Sequence, residues 1–431
     1  MSAETTSPAA WPAHPMRARV VGEVHARPFR LVETPRVVLH YAFVTTPDKA
    51  AADRAFLADL CRAHGAPAPS PEASLHQIEV TGGTLRWELH SEFVTYTFDA
   101  PPVRGAAPFA PLAKHPFGAG FRPPGEMLVA ARLDLVPEAE MAASREGALA
   151  LFEEVWVSAA LAVEDTALVA TDFRADGDGR TRILVVDRGL HPRQSGALIQ
   201  RLLEIETYRT FAMLGLMEAQ RLSPVVARIE QRLSESIEAL RTSHGLSRNR
   251  ELLGDLTALS AELEAEAAAS AFRFGASRAY DEIVALRLDA IREHPFEGYS
   301  TWAAFLKRRT QPAMRTQRAI EQRLSDLATR LGRAGDLLRT RIDVELEEQN
   351  RDLLDSMNRR ARLQLRLQQT VEGLSVAAVS YYVVGLIGYL AKGTKLFHVE
   401  IDPGILTALA VPLVVGGVWW TVRRIRHHHE E

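Results

Sequence analysis

The densest grouping of chemically able side chains is Glu23-Val24-His25-Ala26-Arg27-Pro28. In an extended segment side chains alternate in direction, so Glu23, His25 and Arg27 share one face. A carboxylate, an imidazole and a guanidinium together could bind an anion, hold a metal or carry out acid–base work. The same groups could instead satisfy backbone carbonyls and a carboxylate where this arm packs on a sheet. Asp172, Asp176 and Asp178 around Gly177 approach the spacing of a calcium loop. The twelfth position, however, is Ile183 where such a loop needs a bidentate glutamate, so a hairpin turn is expected there. The sequence holds no Walker A loop, dinucleotide glycine fingerprint, Gly-x-Ser-x-Gly or His-Glu-x-x-His. No catalytic residue is assigned, and an enzyme is not expected. Cys61, the single cysteine, cannot form an internal disulfide, which fits a reducing compartment. Its place in an alanine-rich helical run predicts the buried face of a helix.

These side chains need a scaffold, and 431 residues allow about two or three domains. A hydrophobic content of 47% with 24% charged residues excludes wholesale disorder. The formal net charge of −3 leaves no cationic excess, so nucleic acid is not an expected partner. Residues 1–16, rich in Ala, Pro and Ser, read as a disordered tail and lack the pattern of a secretory signal. Residues 17–192 alternate strand and helix signals, and Thr81-Gly82-Gly83-Thr84 marks a hairpin. The expected fold class is therefore α+β, with a largely antiparallel sheet. From Ser195 the pattern turns helical: long antiparallel helices over 195–311, with a break at 245–247 and a short helix over 301–309. Pro312 suits the first turn of a new helix, a stalk over 312–372. Its apolar stripe runs through Ile320, Leu324, Leu327, Leu331, Leu338, Ile342, Leu346, Leu353 and Met357 at helix-pairing spacing.

Residues 373–391 and 403–422 carry no charged side chain. Runs of about 20 residues match a bilayer core of ~30 Å, so a transmembrane hairpin is expected over 373–422. Arg359, Arg360, Arg362 and Arg366 precede the first span, and Arg423, Arg424 and Arg426 follow the second in a basic tail, 423–431. The loop between the spans balances Lys392 and Lys395 against Glu400 and Asp402. Basic flanks stay in the cytoplasm, which predicts a bacterial inner-membrane protein with two spans and both termini inside. The lipid bilayer is thus an expected partner.

Glu23–Pro28, Glu206-Thr207-Tyr208-Arg209, Pro312-Ala313-Met314-Arg315-Thr316 and Gly373-Leu374-Ser375-Val376-Ala377-Ala378 resemble the hallmark segments of a bacterial family. That family carries a domain-of-unknown-function label and is described as predicted membrane-anchored protein, so the resemblance implies an anchor and no activity. In architecture the chain is similar, more distantly, to CorA-type divalent-cation channels, oligomers whose first span lines a pore. Their Gly-Met-Asn motif is missing: the equivalent stretch is Gly388-Tyr389-Leu390-Ala391-Lys392-Gly393. That likeness implies a homo-oligomer with Tyr382, Leu386 and Tyr389 facing a pore. It would make Glu400 and Asp402 outer-loop acids and a divalent cation the one admissible cofactor. The alternative expectation is a membrane-tethered scaffold or regulator that transports nothing.

Overall fold

The run of alternating residues from Val37 to Val44 opens the sheet as strand β1 (Arg36–Val44), and helix α1 (Ala50–Ala63) follows it. Strands β2 (Leu75–Val80), β3 (Gly83–Leu89), β4 (Phe93–Ala100) and β5 (Met127–Pro137) come next, then the short helix α2 (Glu138–Met141). Strands β6 (Ser158–Ala162), β7 (Ala167–Ala175) and β8 (Thr181–Asp187) lead to helices α3 (Pro192–Thr242) and α4 (Leu246–Ala290). The short β9 (His294–Pro295) precedes helices α5 (Trp302–Gly393) and α6 (Pro403–His428). The computed structural model describes residues 14–17, 20–21, 28–112, 114–141, 149–152, 156–393 and 402–428. The chain divides into two compact units, Met1–Glu235 with Leu256–Gly332, and Ser236–Asp255 with Arg333–Glu431.

In the first unit one nine-stranded mixed sheet has the order β2-β3-β4-β1-β5-β8-β7-β6-β9. β5 pairs with β8 in parallel and the other named strands pair antiparallel, so the α+β class holds. The Thr81-Gly82 turn closes the β2–β3 hairpin, with Val80 opposite Gly83. The Asp176–Gly179 segment is likewise a turn, in which the Asp176 carboxylate accepts from the N–H groups of Asp178 and Arg180 at 2.9 and 3.0 Å.

Period-2 alternation assigns the two faces of the N-terminal half of the sheet. On one face Leu39, Leu85, Trp87, Val94, Tyr96 and Phe98 bury against Leu57 and Cys61 of α1. The predicted burial of Cys61 is observed, and burial pushes its thiol pKa up. The other face lies under α3, whose Leu198, Leu202 and Ile205 pack on Val38, Leu133, Leu135 and Val185. Each such side chain, fully buried, contributes about 1.5–3 kcal/mol.

Three long helices approach one another at a small-residue contact. Gly215 of α3 lies against Ser277 of α4 and Gln317 of α5. Gln317 is itself buried and donates to the Phe274 carbonyl at 2.9 Å. The α5 start is capped by Glu293, whose two oxygens accept from the N–H groups of Trp302 and Ala303 at 2.8 and 2.6 Å. A carboxylate there satisfies orphan donors and complements the helix dipole.

The separate short helix and the new start at Pro312 are not observed: α5 is continuous from Trp302, with Pro312 inside it. The missing N–H removes one helical bond, but Leu306, Ala313 and Met314 are all buried on either side, and that packing holds the helix through the proline.

In the second unit the α3–α4 turn is tied to α5. Arg341 donates to the carbonyls of Leu240 and Ser243 at 2.8 and 2.7 Å, and Asn249 donates to Glu345 at 2.8 Å. The α5 stripe is buried at Leu338 and Ile342, whereas Leu353 and Met357 are 62% and 59% exposed. Stretches of α5 and α6 are long and apolar enough to cross a membrane by length and composition.

A Cβ on Gly215 would lie 2.2 Å from Gln317 Oε1, 2.6 Å from Ser277 Oγ and 2.8 Å from Ser277 Cβ. Gly215→Ala should therefore destabilise the protein by about 1–3 kcal/mol through overpacking. A thermal midpoint unchanged from wild type would show that the helices do not meet there.

Candidate functional site

The α3-covered face of β3, β4 and β1 is not apolar throughout. In β4, Phe93, Thr95, Thr97 and Asp99 face α3, while Val94, Tyr96, Phe98 and Ala100 enter the opposite core. The strand register sets Arg86, Thr97 and His40 side by side in one row across three strands. Glu88 and Thr95 occupy the next row. Above them α3 contributes Gly196, Gln200, Leu203, Glu204, Thr207 and Tyr208, a stripe at helical spacing, and α4 contributes Arg287. Together these residues enclose a cavity of about 320 Å³.

The wall nearest the N-terminus is the arm from Pro28 to Val32. Its Val32 N–H donates to the Pro192 carbonyl at 3.0 Å, and Arg86 Nη1 donates to the Pro28 carbonyl at 2.7 Å. The arm can rest on α3 because residue 196 is glycine, where a Cβ would sit 1.6 Å from the Arg30 carbonyl oxygen.

His40 is the centre of the chamber, only 5% exposed. Its Nε2 lies 2.9 Å from Thr207 Oγ1 and its Nδ1 2.8 Å from Thr97 Oγ1. The Thr207 hydroxyl donates its one proton to the Leu203 carbonyl at 2.8 Å. It must therefore accept from Nε2–H, which leaves Nδ1 to accept from Thr97. That assigns a neutral imidazole in the Nε2–H form. Burial reinforces the neutrality by lowering the His40 pKa to about 4.

Three guanidinium–carboxylate pairs ring the chamber: Arg30 with Asp99, Arg86 with Glu88 and Arg287 with Glu204. Burial pushes the Asp99 carboxyl above its ordinary pKa, against the pull of Arg30 and Arg36. Two polar atoms in the wall are buried without a partner among the described residues, the Thr95 hydroxyl and Arg86 Nε. The volume is at the lower end for small-molecule sites, and the balanced charges with neutral donors and acceptors suit recognition of a small polar solute.

Sequence reasoning did not select this set. Its signal was available as His40 inside the apolar run VVLHYAFV and as the polar alternation Thr95, Thr97, Asp99 in β4. The predicted group Glu23, His25 and Arg27 lies outside the described residues, as does Glu400. Tyr382, Leu386 and Tyr389 are all exposed on α5, and Lys392 Nζ lies 5.7 Å from the Tyr389 ring centroid. Asp402 takes a structural position: its carboxylate accepts from the Gly404 N–H at 2.9 Å and its carbonyl from Ile405, capping α6. Among the described residues no cluster of three or more His, Cys, Asp or Glu side chains could hold a metal.

A family model described as a protein of unknown function (DUF3422) matches residues 12–429. No curated protein and no solved structure matches the chain.

The His40 assignment has a pH consequence. Its folded pKa, about 4, lies below the ordinary value of 6.5, so between those values the unfolded chain binds more protons. Stability contributed by the neutral imidazole is complete above pH 6.5 and is lost as pH falls toward 4, by up to about 3 kcal/mol. Carboxyls raised by burial, such as Asp99, act in the opposite sense, so the comparison must be made against His40→Asn. Wild type should lose more stability than His40→Asn between pH 7 and 4.5. Equal slopes would show that His40 is not buried in the neutral form.

Proposed function

We propose a function for a chain that belongs to the DUF3422 family, proteins of unknown function: a membrane-anchored binding protein whose first unit takes up a small zwitterion, of about amino-acid size, in the His40 chamber. The observation that carries this reading is the Thr95 hydroxyl, 3% exposed, in the cavity wall and without a partner among the described residues. A buried hydroxyl left unpaired costs about 1–3 kcal/mol, a cost that a ligand hydrogen bond removes. Zwitterion selectivity follows from the ring of paired guanidiniums and carboxylates. Each pair can offer one partner to the ligand's ammonium or carboxylate without leaving a net charge buried. The anchor is the hairpin of 373–391 and 403–422, in a bacterial inner membrane with both termini cytoplasmic, as the arginine flanks favour.

A second reading gives the hairpin a larger role: copies assembled through α5, passing or sensing ions as a CorA-like ring. The observation in its favour is that Leu353, Met357, Leu367, Val371 and Leu374 are exposed on α5 in a heptad-like register interrupted at Arg360 and Gln364. Two spans per chain cannot enclose a pore, so this reading requires at least a closed ring. Light scattering of the detergent-solubilised protein separates the two: a ring of four or more subunits supports conduction, and a monomer or dimer removes it.

The binding reading is tested with the full chain in detergent against a panel of the common amino acids. A ligand at 100 times its Kd should stabilise the protein by about 2.7 kcal/mol, visible as a raised thermal midpoint. Thr95→Val should raise the midpoint without ligand and abolish the shift with it. A lowered midpoint for unliganded Thr95→Val would mean that the hydroxyl is already satisfied, and the absence of any shift across the panel would remove the zwitterion assignment.

A further inference from the structure

A second concavity in the first unit is built differently. Two adjoining cavities of about 430 and 420 Å³ share Trp156, Phe305 and Arg309. The floor of the larger comes from an irregularity in β7, where the register against β8 shifts between Thr171 and Ala175. Within it Phe173 adopts a φ of 55°, a left-handed conformation that a bulky side chain avoids unless its surroundings impose it. The Thr171 hydroxyl holds the distortion, accepting from the Phe173 N–H at 3.1 Å and donating to the Arg182 carbonyl at 2.7 Å. Bulges of this kind re-aim side chains, and here Asp172, Phe173 and Arg174 all line the groove.

The walls alternate aromatic rings and guanidiniums. Phe173 stacks on Phe305 with centroids 5.0 Å apart, and the Arg309 guanidinium lies 5.8 Å from Phe305 and 5.0 Å from Trp156. Trp156 is 42% exposed, an indole on the outside of the groove. Arg209 lies 4.9 Å over the Phe173 ring and is pinned by Glu206, which accepts from its Nε and Nη2 at 2.7 and 2.6 Å. Arg308 is braced by donating to Ser300 Oγ at 2.7 Å. Among the described residues the Arg209 guanidinium is committed to Glu206, whereas Arg308 and Arg309 stand side by side in no ion pair. Unlike the His40 chamber, where each guanidinium named is paired with a carboxylate, this groove presents the Arg308 and Arg309 guanidiniums outside any ion pair among the described residues.

Planar guanidiniums match phosphate oxygens in a fork, and aromatic faces beside a cation accept a planar ring. We propose that this groove is a second binding site and that its ligand is a nucleotide, the base stacked on Trp156 and the phosphate held by Arg308 and Arg309. The bulge at Phe173 sets the depth of the groove, and the Glu206–Arg209 pair fixes its inner wall.

The test is calorimetric titration of the full chain in detergent with adenosine monophosphate, adenosine and inorganic phosphate as separate probes. Adenosine monophosphate should bind, and each of the other two should bind at least tenfold more weakly. Trp156→Leu and Arg309→Gln should each weaken nucleotide binding tenfold or more, while Trp156→Phe, which keeps a ring, should lose less than Trp156→Leu. Both side chains are exposed, so the thermal midpoint should stay at the wild-type value and separates loss of binding from loss of fold. No measurable binding of adenosine monophosphate at millimolar concentration would overturn the proposal. So would binding that survives both substitutions, and phosphate binding as tight as the nucleotide would reduce the groove to a bare anion site.

Discussion

Laying a helix over a polar sheet face removes water from groups that still require hydrogen bonds, and the first unit is organised around meeting that requirement. His40 lies in a central row of the sheet, where neither edge can reach it. Its two nitrogens are served from opposite sides, by Thr97 of the neighbouring strand and by Thr207 of α3. Because Thr207 also returns a bond to its own helix, the interaction fixes both the imidazole tautomer and the axial position of α3 over the sheet. An apolar side chain at residue 40 would take away the acceptor of the Thr97 hydroxyl in a dry interior, while Thr207 would keep its bond to Leu203.

One turn of α3 then serves two environments. Thr207 and Tyr208 line the His40 chamber, whereas Arg209, paired with buried Glu206, lines the arginine–aromatic groove. Successive residues on a helix are about 100° apart, so four consecutive side chains sweep most of the circumference. This gives the Glu206-Thr207-Tyr208-Arg209 segment a physical account: Thr207 and Tyr208 face the chamber, and Arg209, held by Glu206, faces the groove.

The sequence made the strands, the β2–β3 hairpin, the helical second half and the two apolar runs legible, because each rests on local periodicity or turn chemistry. Pro312 misled for a related reason. As a local signal it begins a helix, but the buried side chains of Leu306, Ala313 and Met314, brought together only by tertiary packing, carry α5 through it. The chamber was hard to see because its parts come from five segments, the arm, β1, β3, β4 and α3, together with Arg287 of α4. Each part taken alone is ordinary: a histidine in a strand, two threonines two residues apart, a glutamine one turn before a glutamate. Only the strand register and the closeness permitted by Gly196 turn them into one lining. The motif around His25 had the reverse character, conspicuous in sequence and outside the described structure, although the chain resumes at Pro28 against Arg86.

The burial of Cys61 has a practical consequence for experiments on this molecule. The single native thiol is fully covered by the sheet, and burial raises its pKa, so it carries little thiolate at neutral pH. The folded chain is in effect silent toward thiol reagents. A cysteine introduced at any exposed position would then be the sole reactive handle, so spin labels, fluorophores and impermeant maleimides could be placed one at a time on the native background.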